Sequence, residues 1–498
     1  MSRTGPPTDQ SARDDIATLL DQNLFVEAGA GTGKTTALIG RMVAMVLDRA
    51  MPIESIVAIT FTERAASELR DRFRLSLEHV VRTEADGNRR DLAERALTDV
   101  DLAAISTLHG FARRILTEHP LEAGLPPAFD LLDEVTSRLA FDERWNELER
   151  RLLDDPALSH TLLLAADLDI TPGHLRDLAE KLDENWDLLV VTGSPPPDPV
   201  VDVGPLLAAL DAITILGRDD LPDDDKLQTR IDAVASLRTE IATLTDDFDL
   251  LALLQVKRGL STVKFGSPGA TAVWGDTKAE IIAAKKVAVE MWDTTIVDVS
   301  DQVLRRLLHE LIVGARTAAE ERRHAGVLTF HDLLVDARNL LADPDVGPAV
   351  RAALNERYRA ILLDEFQDTD PIQLELALMI ADPVSRPGAP LDESSPAGGS
   401  IFMVGDPKQS IYRFRRADIA LYLEARRSLP ATPVALTENF RTTVEVIDWI
   451  NAVFGCLIEA GDGQPEYVPL VGRRAAASIG SSVTLLGASA HSDLRADE

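Results

Sequence analysis

The sequence predicts an α/β fold: a parallel sheet flanked by helices and split by a long helical insertion. Three observations carry this. Short apolar runs that read as buried strands alternate with helical stretches in residues 1–120 and again after 326; a Gly-rich turn joins the first strand to the first long helix; and from 121 to 325 strand signals give way to amphipathic helices. In chain order, Leu24–Glu27 reads as a strand, followed by a helix from about Lys34 to Ala50 with Ala37, Met42, Val43, Val46 and Leu47 at helical spacing, ended by Pro52. Ile56–Phe61 is a second strand, Glu63–Val81 a charged helix and Ala103–Ser106 a third strand. Glu143–Leu153 and Val303–Ala319 are helices of the insertion, which the Pro-rich Ser194–Val200 interrupts. Tyr358–Leu363 and Ser400–Val404 resume the sheet, and the Gly/Pro/Ser-rich Val384–Ser400 between them is expected to be a flexible surface loop. The expected divisions are 1–120, the insertion 121–325, then 326–435 and 436–498.

Composition narrows the function. Of 498 residues, 45% are hydrophobic, enough for sizeable cores. No apolar run reaches the ~18 residues of a membrane helix, and the N-terminus lacks a basic-then-apolar signal, so a soluble chain without a membrane partner is expected. One cysteine, Cys456, excludes an intrachain disulfide framework and fits a reducing cytoplasm. The net charge of -31 argues against a polyanionic partner unless basic groups are concentrated locally. Residues 1–120 carry 15 basic and 18 acidic residues, whereas 121–250 carry 10 and 30. The acidity is therefore expected to belong chiefly to the insertion, with its acidic face turned away from nucleic acid.

Strand, Gly-rich turn and helix coincide at Ala28-Gly29-Ala30-Gly31-Thr32-Gly33-Lys34-Thr35, a phosphate-cradling loop with alanine in the first glycine's place. Backbone N–H groups and the helix N-terminus would face phosphate oxygens, Lys34 would reach the β- and γ-phosphates, and the Thr35 hydroxyl would ligate Mg²⁺. Such a site needs a second metal element. The apolar strand ending in Asp364-Glu365 supplies it, with Asp364 holding Mg²⁺ and Glu365 polarising the attacking water.

With AITFTERAASELRDRF (58–73), STLHGF (106–111), LLDEFQDTDPIQ (362–373), VGDPKQSIYRFRRAD (404–418) and ENFRT (438–442) added to the phosphate loop, the chain resembles the N-terminal part of UvrD/Rep-type superfamily 1 DNA helicases, most of all AddA and RecB helicase–nuclease subunits. LTFHDLL (328–334) is similar to the segment preceding the acidic strand in AddA and RecB. The resemblance implies a RecA-like P-loop core with a helical accessory insertion, and the start of a second core from about 436. It also implies ATP as cofactor, Gln10 reading adenine, Phe440 stacking on it, Arg441 at the γ-phosphate, and Gln409 sensing that phosphate and connecting it to DNA. Asp406 would support the Gln409 loop. For single-stranded DNA it implies Phe61, Thr62 and Arg64, then Thr107, His109 and Phe111, then Tyr412, Phe414 and Arg415. Ring and charge alternate at 412–415, as base stacking and phosphate contact require. His109 could instead be a core histidine. Arg416 stands where the family often has glycine, and Arg70, Arg72 and Arg74 read as a solvated face.

The resemblance further implies a 3′-to-5′ translocase of double-strand-break repair and recombination acting at DNA duplex ends, with a nuclease-subunit partner as in AddAB- or RecBCD-like complexes. No QGLE-like or VALTRA-like segment and no nuclease domain follows, so an N-terminal fragment is expected. The alternative is a module that binds ATP and single-stranded DNA with little turnover.

Overall fold

The computed structural model describes residues 5–191, 193–222, 224–257, 266, 268–385, 388–413, 416–461, 463–475 and 482–484. The chain forms two compact units, residues 1–131 with 328–498, and residues 132–327.

The strands are β1 (Leu24–Ala28), β2 (Ile56–Thr60), β3 (Ala104–Thr107), β4 (Asp130–Leu131), β5 (Val327–Leu328), β6 (Ala360–Leu363), β7 (Ile401–Gly405), β8 (Thr432–Leu436), β9 (Glu438–Thr443) and β10 (Val471–Arg474); all lie in the first unit except Val327 of β5, and β4 and β5 mark where the chain passes between units. Six strands form one parallel sheet in the order β3-β2-β6-β7-β1-β8. Every residue of β2, β6 and β7 is buried, which is why they read as uninterrupted apolar runs: a parallel strand covered on both faces has no solvent side to alternate with. Phe25, Phe366 and Tyr422 pack ring to ring beneath β1, with centroids 5.0–5.7 Å apart. Because all six strands run the same way, the turns after β1, β2, β3, β6, β7 and β8 gather at the sheet's carboxyl edge. That is where open α/β sheets place their ligand crevice.

At the opposite, amino end of β1, Arg41 ties the first two helices together. It is fully buried on the helix Lys34–Asp48 and donates to the carbonyl oxygens of Ile16, Leu19 and Gln22, satisfying the C-terminal end of the helix Gln10–Thr18. Burial, and then Arg49, lower its pKa to about 10.

The segment expected to be a flexible surface loop is docked where it is described. Cβ atoms at Gly398 and Gly399 would lie 2.4 and 2.2 Å from the carbonyl oxygens of Asp21 and Leu20. Asn23 donates to the Pro396 carbonyl and accepts from the Ile401 N–H. The glycines are there for close approach, a role that local composition does not distinguish from flexibility.

The second unit is helical. Its longest helix, Thr277–Ala325, has 49 residues and ends at Gly326, whose φ of +66° makes it a left-handed cap. Sequence periodicity shows only its Val303–Ala319 stretch. Likewise Glu143–Leu153 belongs to a longer helix, Glu134–Asp154, started by Asp133 accepting from the Thr136 N–H. Gly314, inside the long helix, makes room for Leu148, 3.0 Å from where a Cβ would stand. Trp145, Trp274 and Trp292 are buried among leucines and valines. Residues 132–327 carry 37 acidic and 21 basic residues, and the remaining chain 45 and 30. The acidity is thus shared almost equally, -16 and -15, though denser in the smaller unit. The expectation that it is chiefly an insertion property holds only for 121–250, because 251–327 is slightly basic.

Candidate nucleotide and nucleic-acid site

The phosphate loop leaves β1 at Ala28 and enters its helix at Lys34, with Gly31 and Gly33 at φ +71° and +92°. Both values favour glycine. A Cβ on Gly31 would come within 2.7 Å of the Asn439 amide and 2.8 Å of Arg441 Cβ, so β9 lies directly on the loop. The contact is built from backbone: the Phe440 N–H donates to the Gly31 carbonyl at 2.9 Å, the Asn439 side chain donates to the Ala30 carbonyl, and the Gly29 N–H donates to Leu436. Buried Thr32 closes the turn on the Gly29 carbonyl.

Lys34 Nζ lies 2.5 Å from Glu365 Oε2. Glu365 follows β6 at φ +51°, an uncommon backbone conformation for a side chain of its size and of the kind held at working sites. Asp364 is pinned by its own N–H to the Ile59 carbonyl. Burial, and then the neighbouring Glu365 charge, push its carboxyl up to about 6. Gln409 donates to Asp406 Oδ2 at 2.7 Å, and Lys408 lies 3.0 Å from Oδ1, so buried Asp406 organises the turn after β7.

A single cleft of about 390 Å³ is lined by Thr35, Asp364 and Glu365, by Gln409, and by Phe61 and Tyr412. The last two rings meet at 4.6 Å and 38°. Side chains read from the sequence as nucleotide-binding and as DNA-binding therefore share one space. The oxygen donors suit a hard divalent cation: the Thr35 hydroxyl, Asp364, and Asp368, whose Oδ1 is buried with no hydrogen-bond partner among the described residues. Burial, and then Glu365, also raise the Asp368 pKa.

Around Phe440 the structure adds contacts that the sequence reading did not name. Gln10 donates its side-chain amide to Asp14 at 2.8 Å. Its neighbours reach β9 and the loop: Asp9 accepts the N–H groups of Thr437 and Glu438 and the Nε and Nη2 groups of Arg13, and Arg13 Nη2 also donates to the Thr32 carbonyl. Burial raises the Asp9 carboxyl, but Arg13 and the two amides hold it, on balance, below its ordinary value. The guanidinium groups of Arg13 and Arg473 lie 5.0 and 5.6 Å from the centre of the Phe440 ring, and Arg473 also pairs with buried Glu438. Arg441 is exposed. Periodicity could not have singled out Asp9 and Arg13; an Asp and an Arg one turn apart at a helix start was the available signal.

At the other edge, Thr62 caps the helix Glu63–Thr83, and Arg64 is exposed. Thr107 is buried, capping Leu108–Glu118 and donating to Glu63, so its hydroxyl is used structurally. Phe111, expected as a DNA contact, is 1% exposed and packs edge-on against Tyr358; it is a core residue, and the correction follows from its facing inward from the helix. His109 is half-buried with its ring 5.5 Å from Phe330, an exposed ring that lies within LTFHDLL and that no sequence pattern singles out. Phe414 and Arg415 lie outside the described residues. Arg416 has φ +66°, which explains why glycine suits that position, and its guanidinium lies 3.6 Å from Asp370. Arg72 and Arg74 pair with Glu68 and Asp101 on the surface, while Arg70 turns inward to the Ile105 carbonyl, so only two of the three arginines form a solvated face.

A parallel sheet with a phosphate loop after β1 and paired carboxylates after β6 defines a RecA-like P-loop core. The chain belongs to the UvrD/REP helicase family, whose N-terminal domain matches residues 9–430. It is similar to the ATP-dependent helicase/nuclease subunits of the AddA type from Pediococcus pentosaceus (26% identical over 490 residues), Listeria welshimeri (25% over 501) and Levilactobacillus brevis (27% over 504). Each match covers 89% of this chain but only 38%, 39% and 38% of the relative, so the chain spans under two fifths of their length. Among the described residues no helix is long and apolar enough to cross a membrane.

Proposed function

We propose that this chain is the ATP-hydrolysing motor portion of a DNA helicase of the AddA kind, working with Mg²⁺ on single-stranded DNA in double-strand-break repair. The observation that carries the reading is the single cleft shared by Thr35, Asp364 and Glu365 with Phe61 and Tyr412. Lys34 exchanges Glu365 for phosphate oxygens when nucleotide enters, which frees the carboxylate to take a proton from the attacking water. Thr35 and Asp364 would hold Mg²⁺, which neutralises charge on the transferred phosphoryl group. Asn439 and the Phe440 N–H keep Arg441 beside the loop, where a guanidinium stabilises the same charge. Phe61 and Tyr412 offer faces for bases, with Arg64 and Phe330 extending that edge. A 3′-to-5′ direction, action at duplex ends and a nuclease-subunit partner rest on kinship to the AddA proteins.

Steady-state ATP hydrolysis with and without oligothymidylate tests the proposal. DNA-stimulated turnover is expected. Binding of both ligands with no stimulation would instead support the binding-module alternative.

A further inference from the structure

Gln367, two residues past the Glu365 carboxylate, has no part in the proposed chemistry, yet it is 2% exposed and uses its whole amide. Its Nε2 donates to Glu365 Oε2 at 2.9 Å and to Asp368 Oδ2 at 3.1 Å. Its Oε1 accepts the Asp406 N–H at 2.8 Å, and its backbone carbonyl accepts the Ser410 hydroxyl at 3.1 Å. The partners fix the amide's orientation, since carboxylates sit at one end and an N–H at the other. The neighbouring strand β7 makes room for it: a Cβ on Gly405 would stand 2.7 Å from Gln367 Oε1.

We propose that Gln367 is a positioning residue that couples the water-activating carboxylate of Glu365 to the loop carrying Gln409 and Tyr412. Only an amide of this length serves both ends. A carboxylate would face Glu365 and Asp368 with like charge, and an apolar isostere would leave the Asp406 N–H unsatisfied in a buried place. Two donors now share Glu365 Oε2, Lys34 and Gln367. Once Lys34 turns to phosphate, Gln367 is the remaining hold on that oxygen, and its other end rests on the turn after β7. Movement of that turn, when a base settles against Tyr412, reaches Glu365 through one side chain.

The inference rests on Glu365 being the group that takes the proton from water, and the test separates the two claims. ATP hydrolysis by the full chain is measured with and without oligothymidylate in wild type, Q367M and Q367E, beside equilibrium binding of a fluorescent nucleotide and of the oligothymidylate, with thermal melts to confirm folding. In both variants DNA-stimulated kcat is expected to fall at least about tenfold, KM for ATP and oligothymidylate affinity to stay within about threefold, and the ratio of rates with and without DNA to drop toward one. A wild-type ratio retained in folded Q367M overturns the inference; should Q367M not fold, a retained ratio in Q367E overturns it equally. A wild-type chain that binds both ligands without DNA-stimulated hydrolysis overturns the underlying reading and this inference with it.

Discussion

The two units solve opposite problems. The sheet unit buries Asp9, Gln367, Asp406, Glu438 and Asn439 and satisfies them in two webs, Gln367 with Asp406 beside the cleft and Asp9, Glu438 and Asn439 where β9 meets the phosphate loop. The helical unit buries mainly leucine, valine, isoleucine and tryptophan and keeps most charge outside, in surface pairs such as Arg238 with Asp211 and Arg305 with Asp301. Burying polar groups is expensive unless every partner is in place. Gln367 and Asp406 accept that cost beside the carboxylates of the proposed chemistry, whereas buried Arg41 accepts it to close a helix end.

This contrast can be broken in four places. The largest effect is expected at Glu365→Gln, which keeps shape and removes the base: hydrolysis should fall about 10³-fold, about 4 kcal/mol in barrier, while fluorescent-nucleotide binding persists. Near-normal turnover would misplace the site. Next, Trp292→Ala in the helical unit removes a buried ring and the donor to the Leu254 carbonyl. It should cost about 3–4 kcal/mol in denaturant unfolding of residues 132–327 and leave nucleotide affinity alone. A loss of nucleotide binding without unfolding would show that the units do not divide labour as described. Tyr412→Ala should weaken oligothymidylate binding about tenfold by anisotropy, the worth of one stacked base, with ATP affinity unchanged. The smallest effect is at Arg72→Ala, whose exposed pair with Glu68 predicts a stability change below about 0.5 kcal/mol. Anything larger would make this surface more than a solvated face.

What is legible in the sequence divides along the same line. The phosphate loop and Asp364-Glu365 can be read because strand, turn and helix are contiguous and their chemistry needs fixed residue types. The α/β core split by helices follows from hydrophobic period alone. Illegible are facts set by tertiary approach. Phe111 lies in a DNA-like motif but turns inward onto Tyr358. Asp9, beside the expected Gln10, meets β9 from more than 400 residues away and brings Arg13 with it. Gln367 stands in plain sight within LLDEFQDTDPIQ, but its role appears only once β6 and β7 lie side by side. The glycines at 398–399 carry the composition of a floppy loop and the function of a tight seam.

Cys456, the chain's single cysteine, is exposed near the end of the helix Val444–Leu457, which continues directly from the strand holding Phe440 and Arg441. One thiol means one dye per molecule with no engineering of other positions. A maleimide fluorophore attached there would ride on the segment that touches the phosphate loop, turning nucleotide arrival and departure into an optical signal from the unmodified sequence.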